Sequence, residues 1–453
     1  MIAPARVAAF DILCSVSAGR ADLPSAIAYA RGSLSDDRDR ALAAEIAAGV
    51  QRWRAAIDYL IVRFAKRELD RLDPEIVEIL RLSAYQLLYL TRVPAAAVVD
   101  DAVNLAGRAG KRSASGFVNA VLRTVSRSRK SLPLPARPER TDNRDAALEY
   151  LSITLSHPRW LAARWYDRLG FDAAEAWMKF NNTAAPLTLR VNRLRASVEQ
   201  LEARLAKAHV TVRPGAFAPG ALIVESGYPL REAGSDDGGF VVQDEASQLV
   251  SLLAGAAPGL RVLDACASPG GKATAIAASL DAKGRLVACD VRDRRVDLLR
   301  RTVRASGATN IWIVQADLFA PLPFGAVFDC VVVDAPCSGL GTLRRDPDIR
   351  WRRSEADLAP LAASQRQMLH HAAQAVAPGG RLVYATCSSE PEENEHVVDA
   401  FLAASPAFGA VNAKRVHPLL PESVVDPRGH LRTTPDRHGL EAFFGAVFEK
   451  HSN

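Results

Sequence analysis

The sequence predicts an α/β protein with a parallel sheet, preceded by an all-helical domain. Three observations carry this. From residue 240 onward short apolar runs alternate with helical patterns, as strand–helix–strand units do. Residues 1–130 place apolar side chains at three- and four-residue spacing and read as helix throughout. Between these regions, residues 131–144 (SLPLPARPERTDNR) hold three prolines and many charges, which suit neither helix nor sheet.

In chain order, Val7, Phe10, Ile12, Leu13 and Val16 mark the first helix. Leu42, Ile46, Val50, Trp53, Ile57 and Leu60 give residues 38–64 one apolar face. Asp73-Pro74 opens another helix, Pro74 suiting its first position. Residues 98–109 and 116–125 complete the set. After the linker, residues 156–166 start a helix with His157 as its cap. Residues 186–192 (PLTLRVN) alternate as a strand, 194–208 read as helix and 221–224 as strand, a small α/β module. Arg190, Asn192 and Arg193 are placed to face a nucleic-acid backbone. Strands follow at 262–265, 286–290, 311–315, 330–334 and 382–386, and helices at 273–280, 293–305, 361–376 and 393–403. The expected division is 1–130 helical, 131–147 linker, 148–238 small α/β connector and 239–453 catalytic sheet domain.

Charge is unevenly placed. Residues 1–145 carry 23 Lys/Arg against 17 Asp/Glu, so the whole formal excess of +6 lies there. A basic region beside a neutral one suggests a polyanion partner; a solvated helix surface is the plain alternative. Six cysteines form no Cys-x-x-Cys pair and no zinc spacing, so neither disulfides nor a metal is expected. No run of about 18 apolar residues occurs, and Arg6 and Asp11 interrupt any leader-like start. A cytoplasmic, monomeric protein without membrane contact is expected.

The chemistry gathers at the strand ends. In RVLDACASPGGKA (261–273) an apolar run ends in Asp264, a glycine-containing loop follows, and a helix begins. Such a loop lets backbone approach a ligand and offers helix N-terminal amides. It lacks the phosphate-cradling pattern. One strand later Asp290 is placed to accept from ribose hydroxyls. Asp317, Asp334, Cys337 and Cys387 also fall at strand ends, where ligands of such sheets bind. A single cysteine there is most simply a small buried hydrophobe. Two beside a glycine loop have a use. Carbon 5 of cytosine is too weak a nucleophile to attack a methyl sulfonium, but a thiolate adding to carbon 6 makes an enamine that does. Asp334 can bind the cytosine amino group and nitrogen 3, and Lys272 can favour the thiolate. Spacing leaves open which thiol attacks. Two other readings remain: exocyclic-amine methylation, since Asp334-Ala-Pro-Cys337 is shaped like an Asp-Pro-Pro-Tyr loop, and a non-enzymatic RNA-binding factor built on the helical domain.

The strings VLDACASPGGK (262–272), VVVDAPCSGLGTLRRDPDIRW (331–351), SQRQMLHHAAQAVAPGGRLVYATCSSEPEEN (364–394) and PLTLRVN (186–192) strongly resemble the Sun/RsmB family of bacterial small-subunit ribosomal RNA methyltransferases, which make 5-methylcytosine. The resemblance spans almost the whole chain. It implies a NusB-like RNA-binding helical domain, a small α/β RNA-binding connector and a Rossmann-like S-adenosylmethionine-dependent methyltransferase domain. It implies S-adenosylmethionine held by Cys266, Ala267, Ser268, Pro269, Gly270, Gly271, Lys272, Asp290, Arg295, Asp317 and Asp334, and small-subunit ribosomal RNA as partner. It also implies that Cys387, in Thr-Cys-Ser, is the nucleophile and Cys337 the release helper. Leu440-Glu441-Ala442-Phe443-Phe444 departs from the family's usual Asp-Gly-Phe-Phe.

Overall fold

A computed structural model of the chain describes residues 2–232, 238–281 and 283–452. The chain forms two compact units. One runs up to Ala184 and takes in Leu343–Glu355; the other comprises Ala185–Thr342 and the chain from Ala356 onward.

The first unit is all-helical. Pro4–Ser17, Leu23–Arg31, Asp37–Ala65, Pro74–Tyr89, Ala95–Arg108 and Ser115–Ser128 enclose a core that includes Leu13, Ile46, Val50, Ile57, Ile79, Leu105 and Leu122. Pro4 and Pro74 stand in first turns, and the Asp22 and Asp36 side chains cap helix starts by accepting backbone N–H groups. Gly49 lets two of these helices touch, since a Cβ there would lie 1.9 Å from the Tyr85 ring. Helices Arg159–Leu169 and Phe171–Asn181 pack through Trp165 and Trp177, with ring centroids 5.4 Å apart. The sequence reading named no separate helix at Phe171–Asn181, although Phe171, Ala174, Trp177 and Met178 give it a buried face at helical spacing.

His157 is not the helix cap expected of it. Pro158 occupies the cap position without a side-chain bond. The buried His157 ring instead donates from Nδ1 to the Leu155 carbonyl at 2.7 Å. Burial and the Arg350 charge hold its pKa well below the ordinary value. Arg350 belongs to this same unit and donates to the Ser156 carbonyl and the Asn182 Oδ1, both at 2.9 Å.

The second unit carries two sheets. The smaller consists of β1 (Thr188–Val191), β2 (Thr211–Pro214), β3 (Ala221–Ser226) and β4 (Phe240–Val242), antiparallel in the order β2-β3-β1-β4. Helix Val198–Lys207 opens with a capping box between Ser197 and Gln200 and covers this sheet with Leu201 and Leu205. β1 is buried along its whole length and Asn192 is buried too, so Arg190 and Asn192 do not stand on an open surface facing a nucleic-acid backbone as the sequence reading placed them. Arg190 donates to Gln243 Oε1, Gly271 O and Thr274 Oγ1. Asn192 donates to Gly238 O and Ser306 O. Both side chains brace the inside of the unit.

The larger sheet contains β5 (Arg261–Asp264), β6 (Arg285–Asp290), β7 (Ile311–Gln315), β8 (Phe328–Asp334), β9 (Val376–Thr386), β10 (Phe408–Val411), β11 (Leu431–Thr433) and β12 (Phe443–Lys450). The order is β10-β12-β9-β8-β5-β6-β7, with β11 beside β12. β5 to β9 are parallel, as the alternating pattern predicts. The last three strands add antiparallel pairings that the strand–helix alternation did not announce. The chain passes from β5 to β6 and β7 on one side, then returns to β8 and β9 on the other. The order therefore reverses at β5, and a crevice opens at the strand ends there. Among the described residues no helix is long and apolar enough to cross a membrane.

Candidate active site

Strand register sets the site. Asp264 pairs with Ala288 of β6 and with Val332 of β8. Asp290 and Asp334 therefore extend one pleat beyond Asp264 on either side of it. β8 and β9 pair with Asp334 opposite Ala385, so the loops leaving these two strands run side by side. Cys337 and Cys387, 50 residues apart in sequence, bring their sulfurs to 3.3 Å. All six cysteines are free thiols.

At the β5 end, Gly270 has φ +108°, and a Cβ there would press on Leu299 and Thr302 at 3.0 Å. Glycine is thus the residue that fits, and helix Gly271–Leu280 starts directly after it. Ser268 N and Val291 N donate to Asp290, and Arg295 Nε lies 3.1 and 3.0 Å from its two oxygens. Arg295 also donates to the Ser268 carbonyl at 2.8 Å, so it ties the glycine loop to Asp290. Cys266, Ala267, Ser268, Asp290 and Arg295 thus form one cluster. Asp317 follows β7 on an exposed loop and accepts from Phe319 N at 2.9 Å. Burial, with the charges of Asp264 and Asp334, holds the Cys266 thiol well above its ordinary pKa, so it stays protonated.

Asp264 is 1 % exposed, and its Oδ1 has no hydrogen-bond partner among the described residues. An orphaned buried acceptor in a crevice marks a place where a ligand donor fits. Burial and then the charge of Asp334 push its pKa up to about 7. Since the folded pKa lies above the unfolded carboxylate value of about 4, this group's stabilisation is full below about pH 4 and is lost as pH rises through 7. The melting temperature of the ligand-free protein is therefore expected to fall between about pH 4 and about pH 7 and to level off above that. Asp264→Asn should flatten that slope; calorimetry across the range checks it, and an unchanged slope would assign the titration elsewhere.

Lys272 Nζ donates to Asp334 Oδ2 at 2.6 Å and sits 5.8 Å from the Phe443 ring centroid. Burial opposes the ammonium charge, but Asp334, followed by Cys387 and Asp264, holds its pKa above the ordinary value. Lys272 is thus a fixed positive charge coupled to Cys387. Cys337 is held well above the ordinary thiol pKa, first by its hydrogen bond to Cys387, then by burial and the charges of Cys387 and Glu393. Cys337 is therefore held as a protonated thiol, with its sulfur 3.3 Å from that of Cys387.

The residue that fixes this pair went unassigned in the sequence. Glu393 is fully buried, and its carboxylate accepts from Ser338 N at 2.8 Å, Ser338 Oγ and Ser388 Oγ at 2.5 Å, and Gln365 Nε2 at 2.9 Å. Ser338 follows Cys337 and Ser388 follows Cys387, so one carboxylate ties both loops. Tyr384 Oη in turn donates to the Glu393 carbonyl at 2.5 Å and reaches Gln365 Oε1 at 3.0 Å. The acidic run directly after Thr-Cys-Ser-Ser was visible in sequence, but a charge run ordinarily reads as a solvated face. Glu393 stands in a short 3₁₀ turn, and the helix expected from 393 begins at Glu395.

Gly341 N donates to Cys387 O at 2.9 Å, and Ala442 N donates to Gly341 O at 3.0 Å. A Cβ at Gly341 would lie 2.0 Å from Ala442 O and 2.7 Å from Cys387 O. Both are backbone atoms, which cannot swing aside. Gly341→Ala is expected to destabilise the protein by about 3 kcal/mol and to lower turnover by separating the cysteine loops. Thermal unfolding and steady-state kinetics together check this, and wild-type values in both would mean that the loops move freely.

Family models match three stretches of the chain. The family model for 16S rRNA methyltransferase RsmB/F matches residues 252–449. The NusB family model matches residues 3–127, and the ferredoxin-like domain of RsmF/B-like methyltransferases matches 157–231. The probable ribosomal RNA small subunit methyltransferase B of Bacillus subtilis is 32% identical over 415 residues, 90% of each chain. The ribosomal RNA small subunit methyltransferase B of Pseudomonas putida is 33% identical over 407 residues, 88% of this chain and 89% of that one. Among solved structures, PH0851 superimposes with a TM-score of 0.82 at 27% identity, covering 99% of both chains. NSun6 from Pyrococcus horikoshii with SFG shares the fold at a TM-score of 0.56 and 20% identity, over 65% of this chain and 99% of that one.

Proposed function

Because this chain belongs to the ribosomal RNA small subunit methyltransferase B family, and so is an S-adenosylmethionine-dependent methyltransferase of small-subunit ribosomal RNA, we propose that it methylates carbon 5 of a cytosine through a covalent bond from Cys387. The observation that carries this reading is the pair of thiols 3.3 Å apart beside the Lys272–Asp334 ion pair. Methylation of an exocyclic amine needs neither sulfur.

The glycine loop 266–272 with Asp290, Arg295, Asp317 and Asp334 would hold the cofactor. The orphaned Asp264 oxygen and the Gly270 turn fit a ligand with donor groups lying against the loop. When bound, S-adenosylmethionine supplies an electrophilic methyl group. Asp334, oriented by Lys272, is the group to bind the cytosine amino group and guide a proton to nitrogen 3, which makes carbon 6 electrophilic. Cys387, facing the Lys272 charge, adds to carbon 6 and leaves carbon 5 nucleophilic toward the methyl group.

The second thiol then becomes active for an electrostatic reason. Once Cys387 is a thioether, the interactions with it that hold the Cys337 pKa up are weakened. Cys337 can then give its proton to solvent and, as a thiolate, take the carbon 5 proton, so that it ends as the thiol it began as, while nitrogen 3 returns the proton it had taken up. Loss of that proton restores the ring double bond, the carbon 6–sulfur bond breaks, and Cys387 returns as thiolate. One proton is thereby released to solvent per methyl transferred. The cytosine has to be unpaired or flipped out to reach this crevice.

The test is methyl transfer from labelled S-adenosylmethionine to unmodified small-subunit ribosomal RNA, with the product nucleoside identified by mass spectrometry. 5-Methylcytidine is expected. A methyl group on the exocyclic amine would make both thiols bystanders and overturn the reading.

A further inference from the structure

A cavity of about 110 Å³ in the second unit lies among β1, the loop at 218–220, helices Glu245–Leu252 and Gly271–Leu280, and the chain at 417–419. Its chemistry is one-sided: Arg190, Arg193, His417, Gln248, Ser251 and Ser279 line it, and no Asp or Glu does. Arg190 is 8 % exposed and pairs with no carboxylate. Its Nε and Nη2 are engaged, while Nη1 has no hydrogen-bond partner among the described residues. That unpaired burial alone lowers its pKa to about 10. Arg193 likewise makes no hydrogen bond or ion pair among the described residues.

Two further groups point the same way. His417 Nδ1 accepts from Leu419 N at 3.2 Å, which leaves Nε2–H as a donor. Ser251 Oγ is buried without a hydrogen-bond partner among the described residues. A buried cation and an orphaned hydroxyl around one hollow are costly unless an acceptor arrives to satisfy both.

We propose that this cavity binds one phosphate group, held by Arg190 Nη1, the Arg193 guanidinium, His417 Nε2–H and the Ser251 hydroxyl. A volume of about 110 Å³ has room for several waters and so for one phosphate group. Two sources share this chemistry, a phosphodiester of bound RNA and free inorganic phosphate. The RNA source rests on ribosomal RNA being the substrate; the site itself does not. Through its other edge Arg190 holds Gly271 O, so an occupant would lie one guanidinium away from the glycine loop.

The test uses the full chain and the double variant Arg193→Gln/His417→Gln, which leaves Arg190 and the glycine loop intact. Inorganic phosphate is titrated at constant ionic strength, with binding followed by phosphorus NMR and thermal shift. Saturable binding by the wild type, weakened about tenfold or more in the double variant, is expected, with a smaller loss in Ser251→Ala. A fragment of small-subunit ribosomal RNA is then bound across a salt series. Affinity about tenfold lower in the double variant, with a salt slope shallower by about one, would place an RNA phosphate in the cavity. Weakened phosphate binding with unchanged RNA affinity would leave free phosphate as the occupant. An identical phosphate response in wild type and double variant would overturn the proposal, even if RNA binding fell. The phosphate titration needs no methyl transfer, so its outcome is independent of whether cytosine carbon 5 is the target.

Discussion

Replacing Cys387 with alanine is expected to lower methyl transfer by about 10⁴-fold or more, while S-adenosylmethionine still binds. Cys387 interacts with the Lys272 charge, and its sulfur lies 3.3 Å from that of Cys337. The Cys337 pKa is held high, burial holds Cys330 and Cys289 as protonated thiols with pKa values pushed up to about 12, and burial holds Cys266 well above the ordinary value as well. Calorimetry with the cofactor separates this chemical loss from a binding loss, and denaturing gels should show no protein–RNA adduct. Normal turnover in Cys387→Ala would end the assignment. An adduct that survives Cys387→Ala but disappears in Cys337→Ala would exchange the two roles.

Cys337→Ala is expected to behave in the opposite way, trapping RNA rather than failing to engage it. Addition to carbon 6 and methyl transfer require Cys387, Lys272 and Asp334, none of which this substitution removes. Release requires a base at carbon 5, and alanine supplies none. Turnover should fall by about 10²- to 10⁴-fold, the usual worth of a positioned acid–base group. A band of covalent protein–RNA complex should accumulate under denaturing conditions, and the double variant Cys337→Ala/Cys387→Ala should lack it. Unimpaired turnover without a shifted band would remove Cys337 from the release step. Because Ser338 and Ser388 keep their bonds to Glu393, the loops should hold their places in this variant, and unfolding should shift little.

Much of the fold was legible in the chain because its signals are local. The strand ends at Asp264, Asp290 and Asp334 were readable as apolar runs stopping at an acid, and the helical region as one continuous periodicity. The antiparallel strands after residue 408 were not, since β10 and β11 are short and owe their state to β12 beside them. Thr188 and Arg190 read as polar positions of an alternating strand. Both are buried, because β1 is covered along its whole length and Arg190 finds partners on Gln243, Gly271 and Thr274.

By itself the sequence determined which groups stand at the strand ends: the glycine loop, the acids and the two cysteine motifs, each set by residues adjacent in the chain. Tertiary structure alone decided that Cys337 and Cys387 meet at 3.3 Å, that the Cys337 pKa is held high, and that Glu393 fastens both loops. The physical reason is register. The parallel pairing of β8 with β9 brings together loops 50 residues apart, and burial then turns one carboxylate from a solvated charge into a fourfold acceptor.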